Sequence, residues 1–316
     1  MARLALALSA ALLLVSCAAP APGPEAFAFG VVGDTPYSDA EERKFLEMMR
    51  QMDGEPLAFI VHIGDFKAGG DSPCTDALFE RRRAQLDRSE HPLILTPGDN
   101  EWTDCRRRSN GGFDPVERLA RLRQVFFADR QSLGRRRIET LAQEQCLAPP
   151  VEGCGCAAHP ENRQWTRSGV RFVTLNIPGS DNNVGFDPAG DEEARCRNEA
   201  NRQWLALAVR DSASPQTRAL VVAIQADPWE TKKPAVYRDF LRQMEDAARG
   251  LAKPVLFVHG DSHTFRVDTP FATANPRRLE TYGSPFVGWV KVTVDPRQPE
   301  LFAFEPRLFA LVPPSR

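Results

Sequence analysis

The chain of 316 residues has no apolar run long enough to cross a bilayer, since a transmembrane helix needs about 20 predominantly apolar residues. It also has no excess of charge, with 40 basic and 42 acidic residues. Nucleic acids are bound largely through a surplus of lysine and arginine, so no nucleic-acid binding is expected from the charge. Histidine is scarce, with five in the chain.

The first residues have the order of an export signal. Arg3 supplies positive charge, residues 4–15 form a short apolar segment, and Ser16-Cys17 follows. This order is typical of signal peptides, and its end resembles the lipobox of bacterial lipoproteins. We therefore expect removal of residues 1–16 and lipidation of Cys17, with the Pro- and Ala-rich residues 17–25 as a tether. The alternative is an ordinary signal peptide with an incidental cysteine.

Six further cysteines agree with export: Cys74, Cys105, Cys146, Cys154, Cys156 and Cys196. An even number in an oxidising compartment predicts disulfides, although their pairing stays open. The segment Cys154-Gly155-Cys156 could instead form a metal knuckle, but no partner pair at zinc-finger spacing accompanies it. The expected location is the bacterial cell envelope, as a periplasm-facing lipoprotein of the outer membrane anchored to it through Cys17.

Short apolar runs alternate with helix-like segments within residues 26–316, which are expected to form one domain. The predicted strands are 26–32, 57–63, 92–96, 170–177, 219–224 and 255–258, and the predicted helices are 39–52, 75–88, 115–128, 192–209 and 234–249. Such alternation predicts a layered α/β domain with much parallel pairing. Two further strands in the tail, 287–294 and 301–304, indicate a mixed or second sheet. Residues 130–168 are predicted to be an irregular, Cys-rich insertion.

Polar segments stand directly after these predicted strands. They are Gly33-Asp34-Thr35-Pro36-Tyr37, Gly64-Asp65, Pro97-Gly98-Asp99-Asn100-Glu101, Gln225-Ala226-Asp227 and Gly260-Asp261-Ser262-His263. One Gly-Asp pair alone is more often a turn than a ligand site. Sites in open α/β sheets, however, lie outside the carboxyl ends of the strands, so the ordered set predicts a single site built from several loops.

In order and strand context, this set resembles the motifs of the calcineurin-like metallophosphoesterases, which are Asp-x-His, Gly-Asp, Gly-Asn-His-Asp/Glu, a later His and Gly-His-x-His. The resemblance spans about residues 27–263. It implies a four-layer αββα sandwich of two mixed β-sheets with a two-metal site. Carried over by position, it implies metal ligands at Asp34, Asp65, Asp99, Gln225, Asp261 and His263, and a catalytic role for Asn100 and Asp65.

The departures from the family motifs are specific. Pro36, Asn100, Gln225 and Asp261 stand where the family has histidine, and Asp99 stands where it has asparagine. The remaining ligands are nearly all oxygen. We therefore expect two divalent cations, with Mn, Mg or Fe favoured over Zn.

The resemblance implies a metal-dependent phosphoesterase that hydrolyses small phosphate mono- or diesters with a metal-activated water. Without an imidazole at position 100, the site would lack a general acid, a group that typically raises the reaction rate by about 10²–10⁴-fold. The alternative is a catalytically degenerate lipoprotein that keeps the fold as a binding or structural module. A serine nucleophile at Ser262 is a distant third hypothesis, because adjacent residues rarely form a triad and the chain has no Gly-x-Ser-x-Gly turn.

Four further residues beside the motifs are candidates for supporting roles. His62 and His259 precede their Gly-Asp turns and could orient ligands, or be strand-end histidines bonded to the backbone. Trp102 could stack on a substrate or pack at the sheet rim. Arg106 could hold a phosphate.

Overall fold

The computed structural model describes residues 25–149 and 151–313. The predicted signal segment 1–16, Cys17 and tether residues 18–24 lie outside these residues. None of the helices that it describes is long and apolar enough to span a membrane.

The described residues form twelve strands and six helical segments. The strands are β1 Phe27–Val32, β2 Leu57–His62, β3 Leu93–Leu95, β4 Leu141–Gln143, β5 His159–Arg167, β6 Val170–Thr174, β7 Ala219–Ala223, β8 Val255–His259, β9 Arg266–Asp268, β10 Arg277–Glu280, β11 Phe286–Val294 and β12 Phe302–Leu311. The helices are α1 Asp39–Asp53, α2 Asp76–Leu86, α3 Pro115–Phe126, α5 Pro188–Ser212 and α6 Arg238–Leu251, and the segment α4 Gly179–Asn182 is a single left-handed turn. Short 3₁₀ turns cover Thr103–Arg106, Arg108–Asn110 and Pro234–Tyr237. Each predicted strand and helix is present, with ends shifted by four residues at most, except that the last strand continues to Leu311 instead of ending at 304.

The strands form two mixed sheets, in the orders β12-β11-β1-β2-β3 and β4-β5-β6-β7-β8-β10-β9. Within them, β1, β2 and β3 run parallel to one another, as do β6, β7, β8 and β10. Parallel neighbours end at the same sheet edge, so each sheet brings its loops together at one edge.

Alternating side chains place each sheet between two apolar layers. In β1, Ala28 and Val32 face the cluster shared with helices α1–α3, whereas Phe29 and Val31 face the space between the sheets. In β8, Leu256 faces that same space, and Phe257 faces the cluster shared with α5 and α6. The predicted four-layer αββα sandwich of two mixed sheets is therefore confirmed.

The segment 130–168 is more regular than predicted. It contains β4 and β5, and β5 pairs antiparallel with β6 at the outer part of the second sheet. Its apolar pattern is weak because its buried residues include Glu161, Asn162 and Gln164, which are paired inside the protein. The strands β9 and β10 were also not predicted.

Three disulfides account for the six cysteines. Cys74–Cys105 joins the loops after β2 and β3. The pairs Cys146–Cys156 and Cys154–Cys196 fix the segment before β5, the second of them to helix α5. The segment Cys154-Gly155-Cys156 is therefore not a metal knuckle, since both of its sulfurs are in disulfides.

Candidate metal centre

Loops from both sheets meet at the shared edge. Asp34, Asp65 and Asp99 follow β1, β2 and β3, while Asp261 and His263 follow β8. We call these five residues the carboxylate centre. All of them except Asp99 have left-handed backbone angles, with φ between 50° and 77°. Such angles are unfavourable outside glycine and cluster at functional sites.

The carboxylates lie close enough to share a cation. One carboxylate oxygen from each of Asp65, Asp99 and Asp261 lies within 4.8 Å of the others. Asp34 is joined to the group through the backbone N–H of Asp261, which donates to both Asp34 oxygens at 3.2 Å. Nε2 of His263 lies 3.9 Å from Oδ1 of Asp34.

His263 is oriented as a ligand would be. Burial lowers the pKa of His263, which favours the neutral ring. Nδ1 of that ring donates to the carbonyl oxygen of Ser284 at 2.7 Å, so the proton is absent from Nε2, the nitrogen that faces Asp34. The hydroxyl of Tyr37 lies 3.3 Å from this Nε2 and donates to Oδ2 of Asp65 at 3.0 Å. Tyr37 stands within the first motif but was not predicted as a site residue.

Two amides also point at the carboxylates. Nδ2 of Asn100 donates to Oδ2 of Asp65 at 2.7 Å. Nε2 of Gln225 lies between Asp65 and Asp261 and donates to both at 3.2 Å, while its Oε1 accepts from the N–H of Gly179 at 2.6 Å. Gln225 thus presents nitrogen, not oxygen, to the centre. Metal ligation through Oε1 would require the amide to turn over and lose the Gly179 bond.

Crowding of buried carboxylates is the main electrostatic feature of the site. Burial raises the pKa of Asp34, Asp65 and Asp261 well above their usual range, and the neighbouring carboxylates raise it further. Burial likewise raises the pKa of Tyr37, which therefore keeps its proton.

These residues fit a divalent cation. Oδ1 of Asp99 is buried and has no hydrogen-bond partner, and it lies with both Asp261 oxygens next to Gly179, where a side chain would meet them at 2.8–2.9 Å. Oxygen donors with one imidazole suit hard or borderline divalent ions, and bound cations would offset the carboxylate repulsion.

A strained loop borders the centre. Residues 180–183 take four consecutive left-handed conformations, each costing about 1–2 kcal/mol for a residue with a side chain. Oγ of Ser180 lies 2.7 Å from Oδ2 of Asp99 and 2.7 Å from Oδ1 of Asp104, and it donates its one proton to one of these two carboxylates. The buried Arg197 secures the loop through the side chain and carbonyl of Asn182. The sequence did not identify Ser180 and Asp104 as site residues, because no local sequence pattern predicts a left-handed turn that contains no glycine.

A buried cation lies beneath the third motif. Lys67 is fully buried, and its Nζ donates to the carbonyl oxygens of Ala68 and Asn100. Burial lowers the pKa of Lys67 to about 8. Glu101, whose pKa burial raises to about 7, accepts the N–H groups of Gly98 and Asp65. These two residues hold the turns that carry Asp65 and Asp99.

The four predicted supporting residues occupy different positions. His62 is fully buried and accepts the N–H of Gly64 through Nδ1, so it supports the turn before Asp65. His259 is also fully buried and bonds the carbonyl oxygen of Gly260. Trp102 is completely buried, and the guanidinium of Arg197 covers its ring, so its indole packs inside the protein.

Arg106 stacks on Phe186, with its guanidinium carbon 3.3 Å from the ring centre, and donates to the carbonyl of Thr103. Its neighbour Arg107 comes nearer to the centre. Arg107 binds Oδ2 of Asp104 and the carbonyl of Gly69 at 2.7 Å, and its Nη2 lies 3.5 Å from Oγ of Ser180. About half of its side chain is exposed.

No family model and no curated protein matches the chain. Among solved structures, a dimetal phosphatase from Danio rerio aligns over 90% of this chain and 97% of its own, with 14% identity and a TM-score of 0.56. A 5'-nucleotidase from Candida albicans aligns over 84% of this chain and 46% of its own, with 12% identity and a TM-score of 0.42. The first likeness shows that the chain has the fold of a dimetal phosphatase.

Proposed function

We propose that the chain is a metal-dependent phosphoesterase that hydrolyses small phosphate mono- or diesters. The observation that carries this proposal is the carboxylate centre itself, in which oxygens of Asp65, Asp99 and Asp261 lie within 4.8 Å of one another at an edge shared by both sheets. Clustered buried carboxylates repel one another unless a cation or protons offset their charge.

Asp34, Asp65, Asp99, Asp261 and His263 would hold the cations. Two divalent ions, when bound, would supply the positive charge that binds phosphate oxygens and lowers the pKa of an attacking water. The oxygen-rich set favours Mn, Mg or Fe over Zn.

The surrounding side chains would position the substrate. Asn100 and Tyr37 offer N–H and O–H groups beside Asp65, but neither is an acid suited to neutral pH. We therefore expect good leaving groups, such as aryl oxides, to be favoured, since they need a general acid least. Arg107, half-exposed at the rim, is placed to bind a phosphate oxygen with its guanidinium.

Export and anchoring belong to the same proposal. The pattern of residues 1–17 supports a lipid anchor on Cys17, and three disulfides are typical of an oxidising compartment. The protein would then act as a periplasm-facing lipoprotein of the bacterial envelope, with the outer membrane as the expected location. Mass spectrometry of Cys17 in protein from the membrane fraction would test the anchor.

The catalytic part is tested with the full chain in detergent, stripped of metal and supplied with Mn²⁺ or Mg²⁺. Aryl phosphate and aryl diester turnover should appear with metal and fall more than about 100-fold in Asp65→Asn, because removing a ligand should exceed the 10–100-fold effect of a residue behind the ligands. Asp239→Asn is the control, since its side chain is 94% exposed. Absence of metal-dependent turnover would reject the proposal.

One observation favours a second candidate, a non-catalytic binding or structural module. Nε2 of Gln225 already donates to Asp65 and Asp261, so an amide partly offsets the charge that a cation would offset. For this candidate, we expect almost no metal in the native protein and unchanged cellular function in Asp34→Ala and Asp65→Ala variants.

A further inference from the structure

Three buried side chains meet at the ends of neighbouring strands of the second sheet. His259 ends β8, Glu280 ends the adjacent parallel strand β10, and Asp227 lies in the loop after β7 on the other side. The sheet register pairs Glu280 directly with His259. One ligand atom of each of the three residues lies within 4.8 Å of the other two. We call them the strand-end cluster.

Each member has a buried polar atom without a hydrogen-bond partner. The three side chains are at most 1% exposed. Nδ1 of His259 donates to the carbonyl of Gly260 at 2.8 Å, which leaves Nε2 as a bare, unpartnered acceptor. Oδ1 of Asp227 accepts two backbone N–H groups, but its Oδ2 accepts none. Oε1 of Glu280 accepts the hydroxyl of Ser262, but its Oε2 receives no aligned hydrogen bond.

Buried polar groups in proteins are nearly always satisfied. Oδ2 of Asp227 and Nε2 of His259 have no partner, and Oε2 of Glu280 has only the misaligned ion pair described below, so the three acceptors together call for a further partner. All three are electron-pair donors, and a cation satisfies all of them together. We propose that the strand-end cluster is a separate site for one divalent transition-metal ion, with zinc as the preferred occupant. Zinc is commonly bound by imidazole nitrogen together with carboxylate oxygen, whereas magnesium prefers oxygen alone.

Arg266 is the competing cation. Its Nε lies 2.8 Å from Oε2 of Glu280, and its Nη2 donates to Glu230 at 2.9 Å and to Ser262 at 3.1 Å. This guanidinium offsets one of the two carboxylate charges of the cluster. It provides no partner for Asp227 or His259, so a metal would take these two ligands and share Oε2 of Glu280 with the guanidinium.

The site is connected to the carboxylate centre. The backbone N–H of Asp227 donates to Oδ2 of Asp261 at 3.1 Å, and His259 lies two residues before Asp261. An ion held by Asp227 and His259 would thus fix the two loops that orient Asp261. The proposal does not rest on the phosphoesterase function, because the cluster shares no side chain with that centre.

His62 is a matched control supplied by the chain. Like His259, it ends a buried strand, is fully buried and has an unpartnered Nε2. Its neighbour is the ring of Phe45, and no such acidic cluster includes it within the described residues. A burial effect common to both histidines would therefore appear in variants of either one.

The experiment compares zinc content of the full chain in detergent after equilibration with Zn²⁺ and removal of free metal. Wild type should hold one zinc more than His259→Phe and one more than Glu280→Gln. His62→Phe and Asp65→Asn should both keep that ion, and keeping it in Asp65→Asn separates this site from the carboxylate centre. Equal zinc content in wild type, His259→Phe and Glu280→Gln would overturn the proposal.

A second measurement needs no variant and so does not depend on how a variant folds. Anomalous diffraction at the zinc edge, from crystals of the wild-type chain soaked in Zn²⁺, should show a peak between Asp227, His259 and Glu280. A clear map without a peak there would overturn the proposal.

Discussion

The carboxylate centre and the strand-end cluster use the same sheet edge in different ways. The carboxylate centre is assembled from loops of both sheets, is rich in oxygen, and includes a partly exposed His263. The strand-end cluster comes from three neighbouring strands of one sheet, is closed, and contains one imidazole. An ion held by loops that reach solvent can contact a substrate. An ion held by buried strand ends can only stabilise the structure around it. The comparison separates a proposed reactive site from a proposed structural one.

The largest expected difference concerns turnover. Asp34→Asn should lower kcat/KM of the Mn²⁺-loaded protein more than about 100-fold, whereas Glu280→Gln, a residue behind the ligands, should lower it less than about 100-fold. Asp34 lies in the carboxylate centre, while Glu280 acts on it only through the loops that hold Asp261. Steady-state kinetics with an aryl phosphate measures both values. Equal losses would mean that the two clusters form one functional unit.

A histidine introduced at position 100 should show whether proton donation to the leaving group limits turnover at the carboxylate centre. Asn100→His should raise kcat for an alkyl phosphate by about 10-fold to 100-fold, since an imidazole can protonate a poor leaving group. Aryl phosphate turnover should change little. Asn162→His, at a buried amide away from this centre, is the control and should bring no gain. A gain of equal size for both substrates would argue against proton donation.

Arg106 and Arg107, at the rim of the carboxylate centre, should affect KM by smaller factors than the changes above. Arg107→Ala should raise KM for an aryl phosphate by about 10-fold, because a charged hydrogen bond to phosphate is worth about 1.5–3 kcal/mol when buried and less at a half-exposed rim. Arg106→Ala should change KM less, since Arg106 stacks on Phe186. Initial-rate measurements distinguish the two, and the reverse order would place the phosphate nearer to Arg106.

The smallest expected effect is that of pH on the stability of the metal-stripped protein. Burial raises the pKa of Glu101 and Asp104 to about 7, from ordinary values of 4.5 and 3.8. Burial raises the pKa of Asp34, Asp65 and Asp261 in the same direction. These five carboxyls hold protons in the folded state that the unfolded state has released. They outnumber His62 and His259, whose pKa burial lowers to about 3 and which act in the opposite direction. The stability of the metal-stripped protein should therefore fall as the pH rises from about 4 to about 7. Thermal unfolding across this range measures it. A melting temperature that rises over this interval would contradict the pKa argument.

Much of the fold could be predicted because its strands are short apolar runs with polar turns, and their order is that of the family motifs. The strand β5 could not, because its buried side chains Glu161, Asn162 and Gln164 are satisfied by partners distant in sequence. A polar pattern of this kind is indistinguishable from a loop until those partners are known.

The site was predicted in part. Asp34, Asp65, Asp99, Asp261 and His263 are brought together where strand ends placed them, although their role as ligands stays a prediction. The orientation of Gln225 could not be foreseen, because it is set by the N–H of Gly179. Ser180, Asp104 and Glu280 reach their positions through a left-handed turn, a 3₁₀ turn and an unpredicted strand.

The most direct test of the central claim is a titration of metal-stripped protein with Mn²⁺ while aryl phosphate hydrolysis and bound metal are both followed. We expect turnover to rise with metal bound at the carboxylate centre and to be lost in Asp65→Asn. When given Zn²⁺ instead, Asp65→Asn should still bind one zinc at the strand-end cluster. Metal bound at the carboxylate centre without any turnover, or turnover unchanged in Asp65→Asn, would contradict the central claim.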